Sequence, residues 1–306
     1  MSKQPRAKAS DFDPEVLQLF DKYVHGVIDR RAFLIGAARF AVGAVTATSL
    51  LAALSPRFAE AQQVKPDDKR LATQRIGFAS PQGYGTGSGY LAKPAKPAGP
   101  LPLVLVAHEN RGLNPHIEDI ARRLALEGFM AFAPDALFPL GGYPGDEDAA
   151  RALFAKLDQD KTHQDFLAAA DTLGKMEGGN GRMGAVGFCY GGGITNFLAT
   201  HRPTLAAAAP FYGTAPPLAE VPAIKAELLV VLAANDERVN ATWPPYEAAL
   251  KQAGVRYTLF QPPGTMHGFN NDTTPRYDEA AANEAWRRTI ALFDRTLRSG
   301  TPKQVG

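Results

Sequence analysis

The chain has 306 residues, 45% of them hydrophobic and 21% charged, a globular composition with enough apolar material for a large core. Its 33 basic and 31 acidic residues leave a net charge of +2 with the signs interspersed, which argues against a nucleic-acid or membrane-surface partner. A single cysteine excludes an intramolecular disulfide framework and a cysteine-based zinc site; with no metal-ligand spacing or phosphate loop elsewhere, neither metal nor cofactor is expected.

Residues 11–25 read as an amphipathic helix, with Val16, Leu17, Phe20, Tyr23 and Val24 on one face and Gly26 as its stop. Asp29-Arg30-Arg31-Ala32-Phe33-Leu34 then looks like a twin-arginine export signal. A mildly apolar stretch from Ile35 to Leu54, broken by Arg39, leads to a small-x-small cleavage site at Ala59-Glu60-Ala61. Residues 1–61 are therefore expected to direct the protein to the periplasm or out of the cell. The other reading is a retained pair of N-terminal helices on a cytoplasmic protein. Cleavage after Ala61 would leave residues 62–306, the size of one α/β domain, with no convincing membrane span.

Residues 62–74 read as a linker. Arg75–Ala79 and Gly89–Ala92 read as short strands around a turn at Gln82–Ser88. Leu103–Ala107 is uniformly apolar and predicts a strand buried on both faces. Asn114-Pro115 starts a helix as N-cap and first residue, and Gly128 ends it after an apolar face of Ile117, Ile120, Ala121, Leu124 and Ala125. A strand at Phe129–Ala133, a glycine-rich loop and helices near 147–157 and 161–176 follow. After Met183–Val186 come strands at Ala206–Tyr212, Glu227–Ala233 and Tyr257–Phe260, with helices at 242–253 and 278–297. Alternating helices and apolar strands predict an α/β fold, a mostly parallel sheet with helices on both faces.

Gly187-Phe188-Cys189-Tyr190-Gly191 carries the chemistry. It sets the one cysteine between two glycines where a strand turns sharply into a helix, the context of a nucleophile elbow. The glycines are needed because a side chain at either flank would collide with the neighbouring strand or helix. A thiol nucleophile needs a base, and His267 lies in a glycine-flanked loop directly after the last strand. Loops at the C-terminal strand edges converge in such a sheet, so Cys189 and His267 can meet. The acid lies between them in this fold's chain order; Asp236, after the strand at 227–233, is the choice, with Glu237 beside it.

These features resemble the dienelactone hydrolase family of α/β-hydrolases over about residues 75–298: Gly-Phe-Cys-Tyr-Gly-Gly-Gly, the aspartate after the next-to-last strand, the His-Gly-Phe loop and His108-Glu109-Asn110-Arg111-Gly112. The resemblance implies an α/β-hydrolase fold and a Cys189–His267–Asp236 triad. It also implies that Glu109 lies near the resting thiol and controls its protonation, and that the backbone N–H groups of Tyr190 and Asn110 form the oxyanion hole. Members acting on dienelactone carry an arginine four residues past the catalytic histidine; here Asn271 occupies that position. Arg151 and Arg111 are the remaining candidates to grip a substrate carboxylate, and Tyr212 and Tyr143 to line the pocket. The expected activity is hydrolysis of a small ester or lactone, a small-molecule substrate, through a thioester. Alternatives are a thioesterase or acyltransferase with the same triad, or a non-enzymatic reactive-thiol sensor.

Overall fold

A computed structural model describes residues 7–298; residues 1–6 and 299–306, the outer ends of the two predicted segments, lie outside the described residues. The N-terminal part holds four helices, α1 (Pro14–Val24), α2 (Arg30–Ala37), α3 (Ala47–Leu54) and α4 (Phe58–Ala61). Strands β1 (Leu71–Ser80), β2 (Gly85–Pro94) and β3 (Leu101–Ala107) follow, then α5 (Pro115–Leu126), β4 (Met130–Pro134), α6 (Glu147–Phe154) and α7 (Gln159–Gly174). The elbow lies between β5 (Gly179–Phe188) and α8 (Tyr190–His201). The remainder is β6 (Leu205–Phe211), β7 (Glu227–Val231), α9 (Glu237–Asn240), α10 (Trp243–Gln252), β8 (Tyr257–Phe260) and α11 (Glu279–Leu297).

The strands form one sheet in the order β1-β2-β4-β3-β5-β6-β7-β8. β2 pairs antiparallel with β1 and β4, and every other pairing is parallel. The uniformly apolar strands have a simple cause: each feeds two cores. On β3, Leu103 and Leu105 face one cluster while Val104 and Val106 face the other. Leu228 and Val230 of β7 face the first, Leu229 and Val231 the second. Phe166, Ile194, Leu198 and Leu250 of α7, α8 and α10 close the first cluster; Ile117, Ile120 and Leu124 of α5 and Phe293 of α11 close the second. Asn114 caps α5 by accepting from the Ile117 N–H, and Gly128, at φ +88°, ends that chain direction.

The first hairpin departs from the sequence reading. The turn is shorter than Gln82–Ser88, because Gly85 to Ser88 extend β2. Glycine there serves close packing: a Cβ on Gly87 would lie 2.2 Å from the Phe78 ring, and one on Gly89 2.6 Å from the Ala133 carbonyl oxygen. The 62–74 segment is also not all linker. β1 begins at Leu71, opposite Pro94, and the N–H groups of Gln63 and Val64 donate to Asp119.

The apolar stretch Ile35–Leu54 is not one helix. α2 ends at Ala37, a 3₁₀ turn covers Ala38–Phe40, and Thr46 caps α3. Among the described residues no helix is long and apolar enough to cross a membrane. α1 to α3 make a small core of their own, centred on Val16, Phe20, Tyr23, Phe33, Leu51 and Leu54, and Met266 packs against it from the sheet domain.

Candidate active site

The chain runs from β3 out to β4 and returns to β5 on the other side of β3, so the strand order reverses between β3 and β5. A crevice forms at such a switch point, outside the C-terminal strand ends. The segment His108–Gly112 leaves β3 there, and Cys189 leaves β5 beside it. Gly191 brings the start of α8 against the end of β3: a Cβ on it would lie 2.1 Å from the Ala107 carbonyl oxygen. A Cβ on Gly187 would lie 2.1 Å from the Gly191 oxygen. Both glycines of the elbow are therefore steric necessities. Cys189 itself has φ 55° and ψ −114°, a strained backbone held by its N–H donating to the Phe211 carbonyl at 3.0 Å. Its side chain stays partly exposed.

The loops that carry Asp236 and His267 are stitched to each other. An isolated parallel bridge pairs Asn235 with Met266, and the Asn235 N–H donates to the Thr265 carbonyl at 2.8 Å. That bridge sets Asp236 next to His267, whose Nδ1 lies 2.5 Å from Asp236 Oδ2. The other carboxylate oxygen, Oδ1, accepts from the Val239 N–H at 3.2 Å, so Asp236 also caps α9. The carboxylate thus fixes the His267 ring and leaves its Nε2 within 4.8 Å of the Cys189 sulfur.

The structure adds a third group that sequence reasoning placed elsewhere. His25, the C-terminal cap of α1, inserts into the site. Its Nε2 lies 3.6 Å from Cys189 Sγ and 3.2 Å from His267 Nε2. Its Nδ1 is 2.8 Å from the Asp21 carbonyl oxygen and 3.3 Å from Asp21 Oδ2. The only hint in the sequence is its place beside the helix stop Gly26; nothing local reveals a partner 164 residues away.

These neighbours reorder the proton affinities. Burial disfavours a thiolate, but the charge of His267 and the hydrogen bond from His25 outweigh it, taking Cys189 from an ordinary 9.0 down to about 5. Burial likewise opposes charge on His25, yet hydrogen bonds to Asp21 and Cys189 carry it up to about 10. His267 is raised against its burial by the thiolate and Asp236, and Asp236 is lowered against its own burial by His267.

The other candidate residues are placed as follows. Glu109 is buried and its Oε2 accepts from Asn271 Nδ2 at 3.1 Å, so the amide that replaces an arginine binds the carboxylate of this chain. Arg111 pairs with Glu147 at 2.7 Å and donates to Asn110 Oδ1, whereas Asn110 Nδ2 donates to the Val24 carbonyl at 2.9 Å. Arg151 pairs with Asp148 and stacks 3.9 Å over the Tyr23 ring, engaged by the N-terminal segment. Tyr212 is buried at φ 37° with its ring centroid 4.9 Å from that of His267, and burial pushes its hydroxyl well above the usual range. Tyr143 donates to Glu147 at 3.0 Å. Tyr190 opens α8, where no earlier turn supplies an acceptor for its N–H.

Comparison with known proteins identifies the family. A sequence model of the dienelactone hydrolase family matches residues 88–297, and a YqhI-like model matches residues 4–41. A candidate carboxymethylenebutenolidase from Escherichia coli (strain K12) is 33% identical over 244 residues, 74% of this chain and 88% of that protein. The candidate hydrolase fragment YghX of the same organism is 49% identical over 114 residues, 37% of this chain and 97% of the fragment. The crystal structure of a candidate dienelactone hydrolase from Klebsiella pneumoniae superposes with a TM-score of 0.65 at 30% identity, covering 73% of this chain and 99% of that one.

Proposed function

Because this chain belongs to the dienelactone hydrolase family and is an ester or lactone hydrolase with the α/β-hydrolase fold, we propose that Cys189 is its nucleophile, with His267 as base and Asp236 as the acid that orients it. The observation that carries this reading is the strained Cys189 backbone between two sterically required glycines, with the His267–Asp236 pair at its side.

The Cys189 thiolate adds to the ester or lactone carbonyl, and the oxyanion is held by the N–H groups of Tyr190 and Asn110. Each such donor is worth roughly 3 kcal/mol of barrier. The tetrahedral intermediate collapses as His267 passes its proton to the departing alkoxide, which in a lactone stays tethered as the opened ring. His267 then takes a proton from water, whose oxygen attacks the thioester, and the acid product leaves with the thiol restored. A thiol already ionised at neutral pH is a ready nucleophile. Asn271, bonded to Glu109 where an arginine would carry charge, favours an uncharged ester or lactone over dienelactone itself.

Residues 7–64 are proposed to stay attached as a closing segment over the site. His25 beside Sγ and the Asn110–Val24 bond support retention. The Arg30-Arg31 motif and Ala59-Glu60-Ala61 favour export with cleavage instead, and N-terminal sequencing of native protein separates the two. Substrate access then requires the segment to swing away, since His25 occupies space beside the attacking sulfur.

The test is a panel of small lactones, esters and acyl-thioesters with wild-type and Cys189→Ala protein, with mass spectrometry of acylated intermediates. Hydrolysis of esters and lactones with an acyl group trapped on the Cys189 peptide is the expected result. A strong preference for acyl-thioesters would replace this reading by a thioesterase, and hydrolysis undiminished in Cys189→Ala would remove the nucleophile.

A further inference from the structure

We propose that His25, Cys189 and His267 form a zinc-binding site that locks the N-terminal segment over the hydrolytic centre. One ligand atom from each of the three lies within 4.8 Å of the others. Both distances from His25 Nε2 match one metal. A tetrahedral ion with Zn–N of about 2.0 Å and Zn–S of about 2.3 Å spans about 3.3 Å between nitrogens and about 3.5 Å between nitrogen and sulfur. His25 Nε2 stands 3.2 Å from His267 Nε2 and 3.6 Å from Sγ.

The surroundings suit the same ligand. Each imidazole has its Nδ1 tied to a carboxylate, His25 to Asp21 and His267 to Asp236, which turns both Nε2 atoms inward. Histidine ligands of zinc are oriented by carboxylates in this manner. At most one of two ring nitrogens 3.2 Å apart can point a hydrogen at the other, and a metal ion in place of those protons would engage both nitrogens and the sulfur at once. A thiolate with two imidazoles is a borderline-soft donor set that suits Zn²⁺ over Mg²⁺ or Ca²⁺, and a fourth position is left for water. The expectation of no metal rested on the single cysteine and on the lack of a metal-ligand spacing; here two of the three donors are histidines far apart in sequence, one from each side of the closure. Binding replaces the protons on the ligands, and no bond to carbon forms or breaks.

Metal binding and hydrolysis exclude each other, because both use Sγ and His267 Nε2. This inference leans on the proposed nucleophile for its effect on activity; the metal site stands apart from it. Full-length protein titrated with Co²⁺ should bind one ion per chain and show a thiolate-to-cobalt charge-transfer band that Zn²⁺ displaces. Cys189→Ser should lose the band. His25→Ala should weaken binding at least tenfold, and Asp21→Asn about tenfold or more by loosening the imidazole. Zn²⁺ should inhibit ester hydrolysis by wild-type protein, with its potency falling in His25→Ala by the same factor as the affinity. Absence of the thiolate band, or Co²⁺ affinity unchanged in both His25→Ala and Asp21→Asn, would overturn the site. If metal-free wild type hydrolyses nothing yet shows the band, the hydrolase reading fails and the metal site stands; if hydrolysis depends on Cys189 but no band forms, only this inference fails.

Discussion

The sheet domain and the N-terminal segment are held together by different forces. The domain is built on two continuous apolar clusters on either side of β3 to β7. The segment has one small cluster, and among the described residues only Met266 joins it from the domain. Its contacts with the domain are mostly polar: Asp21 with Arg276, Tyr23 and Arg30 with Asp148, the Val24 carbonyl with Asn110, and His25 with the thiol. Four of its apolar side chains, Val27, Ile35, Val42 and Val45, remain exposed. Apolar burial scales with area and is lost only by unfolding, whereas an exposed ion pair such as Arg30–Asp148 is worth about 0–1 kcal/mol and is screened by salt. A segment held in that way can leave without unfolding what it covers.

The largest expected effect sits on the domain side. Cys189→Ala should lower kcat for ester hydrolysis by on the order of 10³-fold or more, and Asp236→Asn by on the order of 10²- to 10⁴-fold, with thermal unfolding little changed for Cys189→Ala. Steady-state kinetics beside a melting curve checks both. Next come the cores. Phe293→Ala, in the fully buried wall of the sheet, should cost about 3–5 kcal/mol of global stability. Phe33→Ala should instead free the segment, raising proteolysis before residue 64 while the main transition stays within a few degrees. A main transition lowered equally by both would break the comparison and make the segment part of one cooperative unit.

Thiol reactivity gives a finer measure. With the Cys189 value near 5, alkylation by iodoacetamide should be flat between roughly pH 6 and 8 and decline as pH falls through about 5. His25 contributes to that lowering, so His25→Ala should move the decline upward in pH; an unmoved profile would mean that His25 does not dock in solution. The smallest effect is expected from Asp148→Asn, which removes partners of Arg30, Tyr23 and Arg151 at the segment's edge. It should open the segment by no more than about 1 kcal/mol, read as a modest rise in alkylation rate that high salt reproduces in the wild type.

Local signals made much of this protein readable. The Asn114-Pro115 start of α5, the two-faced apolar strands and the Gly-x-Cys-x-Gly elbow are short-range patterns whose cause lies within a few residues. The β2 glycines misled because turn glycine and packing glycine look alike in a sequence; only the Phe78 ring across the hairpin distinguishes them. Asp236 was read as the acid, and its two oxygens divide between His267 Nδ1 and the Val239 N–H that starts α9.

The sequence by itself determined the fold class, the nucleophile candidate and the loops that bring an acid and a base to it, because periodicity and steric turn chemistry act along the chain. Tertiary structure alone decided that Glu109 faces Asn271, that Arg111 and Arg151 are already paired, and that His25 meets a thiol and a second histidine from 164 and 242 residues away. Those contacts depend on how a polar-docked segment settles on a finished sheet, and a surface match between two distant pieces leaves no period in either one.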